Sequence, residues 1–229
     1  MTEFHRYAIY WAPEPGGLAD LAAAWLGWDA AAGLRVPHPR ISGLPRSAAE
    51  LTETPRKYGI HGTIKPPFRL APGQTGDGLH RAAADLCATL RPVTLAGLSL
   101  HRLGGFVALT PDGDHGELAA LAARVVEALD PFRAAPEDAE IARRKPERLT
   151  ERQRGHLARW GYPYVMEDFL FHVTLTGDLP EAEAARVAEA LDPVLRPVLP
   201  RPFLVGSLCL FGQAEDGMFR LLHRYPLSG

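Results

Sequence analysis

Apolar and polar positions along the chain change period several times, and each change marks an element. Arg6 to Trp11 (RYAIYW) is rich in aromatic and β-branched residues and predicts a strand. Pro13-Glu14-Pro15-Gly16-Gly17 breaks it. Leu18, Leu21, Trp25, Leu26 and Trp28 recur at roughly helical spacing, predicting a helix over Leu18 to Ala31. Pro37 to Pro45 reads as an irregular connection. Tyr58 to Phe68 (YGIHGTIKPPF) alternates like a strand, with Pro66-Pro67 as its stop. A helix over Leu79 to Leu90 and strands over Val93 to Leu100 and Phe106 to Thr110 follow. Further on, helices are predicted over Glu117 to Leu129, Pro136 to Ile141, Thr150 to Trp160 and Glu181 to Leu191. Thr150 with Gln153 fits a capping box. Strands are predicted over Phe169 to Thr176, Phe203 to Phe211 and Met218 to Tyr225.

The order of these elements repeats. In each half a His-bearing strand precedes a helix, an Arg-Pro dipeptide (Arg91-Pro92, then Arg196-Pro197) and two strands. Gly97-Leu98-Ser99-Leu100 is matched by Gly206-Ser207-Leu208-Cys209-Leu210. Internal duplication is the simplest origin of such an order. It predicts one α+β unit with two similar lobes about a pseudo-two-fold axis, each with an antiparallel sheet and helices, and a groove between them. The expected lobes are about 6–111 and 112–229, with terminal segments free to cross.

Alternation within the two His-bearing strands points to chemistry. Side chains of a strand change face at every residue. Phe169, Phe171, Val173 and Leu175 form the core face of the second strand, leaving His172, Thr174 and Thr176 opposite. In the first strand Tyr58, Ile60, Gly62 and Ile64 take the core face, leaving His61, Thr63 and Lys65 opposite. Each repeat thus offers a His and a Thr two residues apart, facing the groove. One His-x-Thr is a weak signal; two at equivalent places of a duplicated unit are a strong one.

Paired His-x-Thr motifs resemble those of the 2H (two-histidine) phosphoesterase superfamily. YGIHGTIKPPF, FHVTLTG, the opening RYAIYWAP and the run from Arg143 to Gly177 are similar to the branch associated with phosphonate utilisation. The resemblance implies a bilobal α+β fold and hydrolysis of a small cyclic phosphate or an RNA-end phosphodiester, with no metal or other cofactor. It implies His61 and His172 as acid and base and Thr63 and Thr174 as donors to the phosphate oxygens. Those roles suit the residue types: imidazole titrates near neutral pH, and a hydroxyl can stabilise charge on a non-bridging oxygen. Which His takes which role stays open. A non-catalytic protein that binds a nucleotide or phosphonate metabolite is the alternative, and a metallohydrolase is disfavoured by the absence of HxH, HExxH or Asp-rich spacing near the histidines.

Composition narrows the ligand. The chain has 229 residues, enough to bury a core without disulfides, and a formal net charge of −2. That balance argues against binding long nucleic acid and leaves a small anionic phosphate ester, a nucleotide or an RNA end as the expected partner. Charge is uneven: Arg143 to Arg159 carries seven basic and two acidic residues, whereas Asp112 to Glu140 carries eight acidic and two basic. Arg143 and Arg144 are therefore candidate anion ligands, against the commoner reading of a solvated face. Lys65 is a candidate as one of only three lysines. Tyr162 and Tyr164, in the aromatic turn before the second motif, are candidates for stacking on substrate. Tyr7 is the candidate from the first strand; Tyr7 and Tyr10 lie on opposite faces, so at most one reaches the groove. Cys87 and Cys209 read as buried free thiols. The polar start, Met1 to Arg6, and the lack of an 18-residue apolar run lead to the expectation of a cytoplasmic protein without membrane contact. The oligomeric state is not readable.

Overall fold

The computed structural model describes residues 4–229; Met1 to Glu3, the beginning of the polar lead, lie outside the described residues. The first repeat runs β1 (Arg6–Trp11), α1 (Gly17–Leu26), β2 (Trp28–Asp29), β3 (Leu34–Arg35), α2 (Ala48–Leu51), α3 (Glu53–Arg56), β4 (Gly62–Phe68), α4 (Gly76–Ala88), β5 (Val93–Leu95) and β6 (Leu98–Leu103). The second runs β7 (Phe106–Pro111), α5 (Gly116–Ala128), α6 (Asp138–Ala142), α7 (Glu151–Trp160), β8 (Val173–Thr174), α8 (Glu181–Leu195), β9 (Phe203–Val205) and β10 (Ser207–Gln213). β11 (Phe219–Pro226) then adds an edge.

The α+β class is as expected, and strands are shared across the two halves of the chain. Seven strands form one sheet in the order β11-β10-β1-β4-β8-β7-β6. β7 stands beside β8 as β1 stands beside β4, so the second repeat starts at Phe106. The outer strand on each side belongs to the other repeat: β10 pairs with β1 and β6 with β7. Aligning the two motifs sets Tyr10, which pairs with Thr63 and Cys209, against Ala108, which pairs with Thr174 and His101. The axis passes between Gly62 and Val173, the single pair joining β4 to β8, and through the short β5–β9 ladder, centred on Thr94↔Leu204. That ladder makes Arg201-Pro202, directly before β9, the partner of Arg91-Pro92. Arg196-Pro197 is not, because α8 continues through Pro193 to Leu195.

Four helices cover one face of the sheet. Each places apolar residues three or four apart, or adjacent, on one face into a common core: Leu79, Ala83 and Cys87 of α4; Leu118, Leu121, Ala122 and Val125 of α5; Ala184, Val187, Leu191 and Leu195 of α8; Trp25 and Leu26 of α1. α1 stops at Gly27, a left-handed cap, five residues short of the expected end. Both cysteines are free and buried, as expected. The opposite face of the β4 side carries a smaller aromatic cluster with Tyr10, Trp28, Phe211 and Phe219. Among the described residues no helix is long and apolar enough to cross a membrane.

Helix and strand bounds elsewhere follow the pattern within a few residues. The Thr150–Gln153 capping box is formed. Two expected strands are split, at Ala96-Gly97 and at Gly206, where the chain turns from the axis ladder into the main sheet.

Candidate active site

β4 and β8 touch only where Gly62 faces Val173. His61 directly precedes β4, in which Thr63 follows Gly62, and His172 directly precedes β8, in which Thr174 follows Val173. All four share the face away from the helices, because Gly62 and Val173 are buried on the other side. The two motifs thus meet at one point, with His172 close enough for its charge to act on His61. Each of the four side chains is half-buried.

Gly62 makes this approach possible. A Cβ there would lie 2.3 Å from the ring of Phe171. Phe171 is fully buried and packs on Trp11 and Phe203, so it cannot retreat cheaply. The second strand is held from the first repeat as well: Trp25 of α1 donates its indole N–H to Leu175 O at 2.8 Å.

The two histidines are oriented by the same device. His61 Nδ1 lies 2.9 Å from Gly59 O, and His172 Nδ1 lies 2.9 Å from Leu170 O. A carbonyl only accepts, so Nδ1 carries the proton in both rings and Nε2 is left free to take or give one. Their surroundings differ. His61 lies against Tyr10, with ring centroids 4.1 Å apart, and beside Tyr58 at 5.5 Å. Burial lowers the His61 pKa to about 4; the bond to Gly59 O opposes this, and the charge of His172 adds to it. His172 has Phe106 as its ring neighbour, at 5.7 Å.

Several expected site residues sit elsewhere. Lys65 is not on the groove face: it is 1 % exposed and points into the helical layer. Ile9 pairs with Lys65 and Tyr10 with Thr63, so Ile64 is an extra residue, a bulge that turns the following side chain over. The Lys65 ammonium donates to Val126 O at the end of α5 and to Asp130. A second register shift follows, and within it the strand runs through Pro66-Pro67 to Phe68 instead of stopping. Tyr7 belongs to the main core at 2 % exposure; Tyr10 is the tyrosine of β1 on the groove side. Thr176 is also buried, its hydroxyl accepting the N–H of Val107. Tyr58, expected in the core, lies on the groove side. Gly59 has a φ of +69°, so residues 58–61 turn and strand alternation begins only at Gly62.

The segment around α6 and α7 flanks the site on the β4 side. Arg144 lies over the Tyr162 ring at 4.6 Å, and Tyr164 meets Tyr162 edge-on at 5.7 Å while remaining exposed. Burial raises the Tyr162 pKa, and Tyr58 is close enough to raise it further. Arg143 and Arg144 line a cavity of about 230 Å³ together with Tyr58, Lys57 and Arg6. The sequence carried little signal for Lys57 and Arg6. Lys57 adjoins the motif turn, and Arg6 shares its strand face with Tyr10, two positions apart from Ala8.

The chain is 38% identical over 181 residues to a curated protein of Janthinobacterium sp. (strain Marseille) named ribose 1,5-bisphosphate phosphokinase PhnN, covering 78% of this chain and 40% of that one. A protein of the same name from Laribacter hongkongensis is 36% identical over 224 residues, covering 94% of this chain and 50% of that one. The chain thus spans half or less of the length of these relatives. A crystal structure of E. coli LigT complexed with 3′-AMP aligns over 99% of this chain and 100% of that one, at 15% identity and a TM-score of 0.49. A likeness that loose gives no residue a role. Residues 63–220 match the family described as "Protein of unknown function (DUF1045)", and with most of its sheet and the second motif inside that span, the chain belongs to this family.

Proposed function

We propose that this protein is a phosphoesterase that opens a small cyclic phosphodiester by acid–base catalysis between His61 and His172. The observation that carries this reading is the paired geometry. Two histidines, brought together where β4 meets β8, each hold Nδ1 on the carbonyl two residues back and leave Nε2 free. A phosphorus atom between them would have one Nε2 toward the attacking oxygen and the other toward the leaving oxygen, as in-line displacement requires.

His61 suits the base role. Its low pKa leaves it neutral at pH 7, able to take a proton from water. The water oxygen bonds to phosphorus as His61 Nε2 takes its proton, the ester P–O bond breaks, and His172, entering the step as the imidazolium with protons on both nitrogens, gives its Nε2 proton to the departing alkoxide; exchange with solvent then resets both rings. The product is a phosphate monoester with a free hydroxyl. Thr63 and Thr174 donate to the non-bridging oxygens, where negative charge is held in the transition state. No step needs a redox partner.

The resemblance to the phosphonate-associated branch, and the ribose phosphate in the name of the two relatives, make ribose cyclic phosphates the first substrates to try. Nucleoside 2′,3′-cyclic phosphates and ribose cyclic phosphates, followed by phosphorus NMR in excess EDTA, test the reading. Conversion of a cyclic ester to a monoester at an undiminished rate in EDTA is expected. Tight binding with no turnover across the panel would instead make the protein a sensor, and activity lost in EDTA and restored by Zn²⁺ or Mn²⁺ would make it a metallohydrolase.

A further inference from the structure

Beside the histidine pair lies a cavity whose charge the reaction above does not use. Arg6, Lys57, Arg69, Arg133, Arg143 and Arg144 line it, against one carboxylate, Glu140. Glu140 is already paired with Arg69 at 3.0 Å, and Arg133 with Asp130 at 2.7 Å. Of the other four cations, Lys57, Arg143 and Arg144 have no ion-pair partner among the described residues, and Arg6 has only the longer-range attraction of Glu140. Arg6 bonds the side-chain oxygen of Gln213 and lies over Phe219; Lys57 lies over the Tyr58 ring; Arg143 bonds Ala139 O; Arg144 lies over Tyr162. Cations drawn from β1, the α3–β4 turn and the α6 region thus outnumber the carboxylates around one concavity. In a chain of net charge −2, such a concentration is stabilised by an anion.

The position of the cavity says how that anion relates to the reaction. Tyr58 forms part of its wall, and the Tyr58 ring also neighbours the His61 ring at 5.5 Å. Lys57 and Tyr58 lead directly into Gly59, whose carbonyl orients His61. The cavity therefore borders the histidine pair through Tyr58. Guanidinium groups match phosphate oxygens in fixed, two-pronged geometry.

Building on the phosphoesterase reading, we propose that the substrate carries a second phosphate, a monoester on the same molecule as the cyclic diester, and that Lys57 and Arg144 with their neighbours Arg6 and Arg143 bind it. The second phosphate orients the ring so that the scissile phosphorus falls between the histidines.

The test compares adenosine 2′,3′-cyclic phosphate with its 5′-phosphorylated form. The 5′-phosphate is expected to raise kcat/KM tenfold or more, chiefly through KM. In Lys57→Ala/Arg144→Ala that ratio falls to threefold or less, while in the distant surface variant Arg102→Ala it stays as in the wild type. Turnover of both substrates at a ratio near one, or a ratio that survives Lys57→Ala/Arg144→Ala, would overturn the second-phosphate site and leave the phosphoesterase reading standing. Calorimetric binding of inorganic phosphate at low salt keeps the two claims apart if neither compound is hydrolysed. Binding that survives His61→Ala/His172→Ala and weakens at least tenfold in Lys57→Ala/Arg144→Ala supports the anion site. Binding that is absent, or that is lost only with the histidines, overturns it.

Discussion

His61 and His172 share a motif and a backbone partner, yet only His61 is packed under Tyr10, and that difference has consequences in pH. If His61 is the base, it works only while neutral, so the acid limb of kcat/KM should fall near pH 4 and not at the ordinary histidine value of 6.5. Tyr10→Ala, which opens the ring to water, should move that limb up by one to two pH units. A limb at 6.5 in the wild type, unmoved by the substitution, would assign the base elsewhere. The same shift bears on folding. Below pH 6.5 the unfolded chain binds a proton at residue 61 that the folded chain refuses until about pH 4. Stability therefore falls across that window, by at most about 3 kcal/mol, and His61→Gln should remove this part of the loss in urea unfolding. Gly62 gives a second test. Gly62→Ala drives a methyl into Phe171 and should cost about 1–3 kcal/mol while lowering turnover, with Phe171→Leu in the same chain recovering part of both.

β4 shows how far a sequence pattern carries and where it stops. Alternation separated half-buried His61, Thr63, His172 and Thr174 from buried Gly62 and Val173, although the regular strands are shorter than the pattern suggests and begin at Gly62 and Val173. It failed for Lys65 because a bulge at Ile64 shifts the phase, and no residue type announces a bulge. It failed for Tyr58 because the turn at Gly59 precedes the strand. Tyr7 and Tyr10 could be separated by face but not assigned, since both faces of β1 are apolar and buried. Lys65, once placed, fastens β4 to the end of α5 through Val126 O and Asp130. Burial lowers its pKa to about 8 against the attraction of Asp130. The folded chain thus releases this proton near pH 8 while the unfolded chain keeps it to about 10.5, so Lys65 makes stability rise between those values. Lys65→Met should flatten that rise in pH-dependent urea unfolding. A variant that keeps the rise would show that another group is responsible. The cationic cavity was only partly legible. The run from Arg143 onward is visible as charge, but its juxtaposition with Arg6 and Lys57 depends on three distant segments meeting.

Duplication was readable from the order of elements, whereas the exchange of outer strands was not. The order β-α-β-β is the same whether β6 pairs within its own repeat or across the axis. Because β10 completes the β1 side and β6 completes the β7 side, neither repeat has a finished sheet by itself. Unfolding should accordingly be one cooperative transition. Fluorescence, dominated by Trp11, Trp25 and Trp28 of the first repeat, should coincide with far-ultraviolet circular dichroism of the whole chain. Separate transitions would mean that the lobes fold independently. Each histidine directly precedes a strand, β4 or β8, that has neighbours from both repeats. The most direct measurement is steady-state hydrolysis of a cyclic phosphate, in excess EDTA, by His61→Gln, His172→Gln and the double variant. Each single substitution should lower kcat/KM by at least about a hundredfold, and the double variant should lose little more than the worse single one, because acid and base act on one transition state. Turnover within threefold of wild type in either single variant would contradict the two-histidine mechanism.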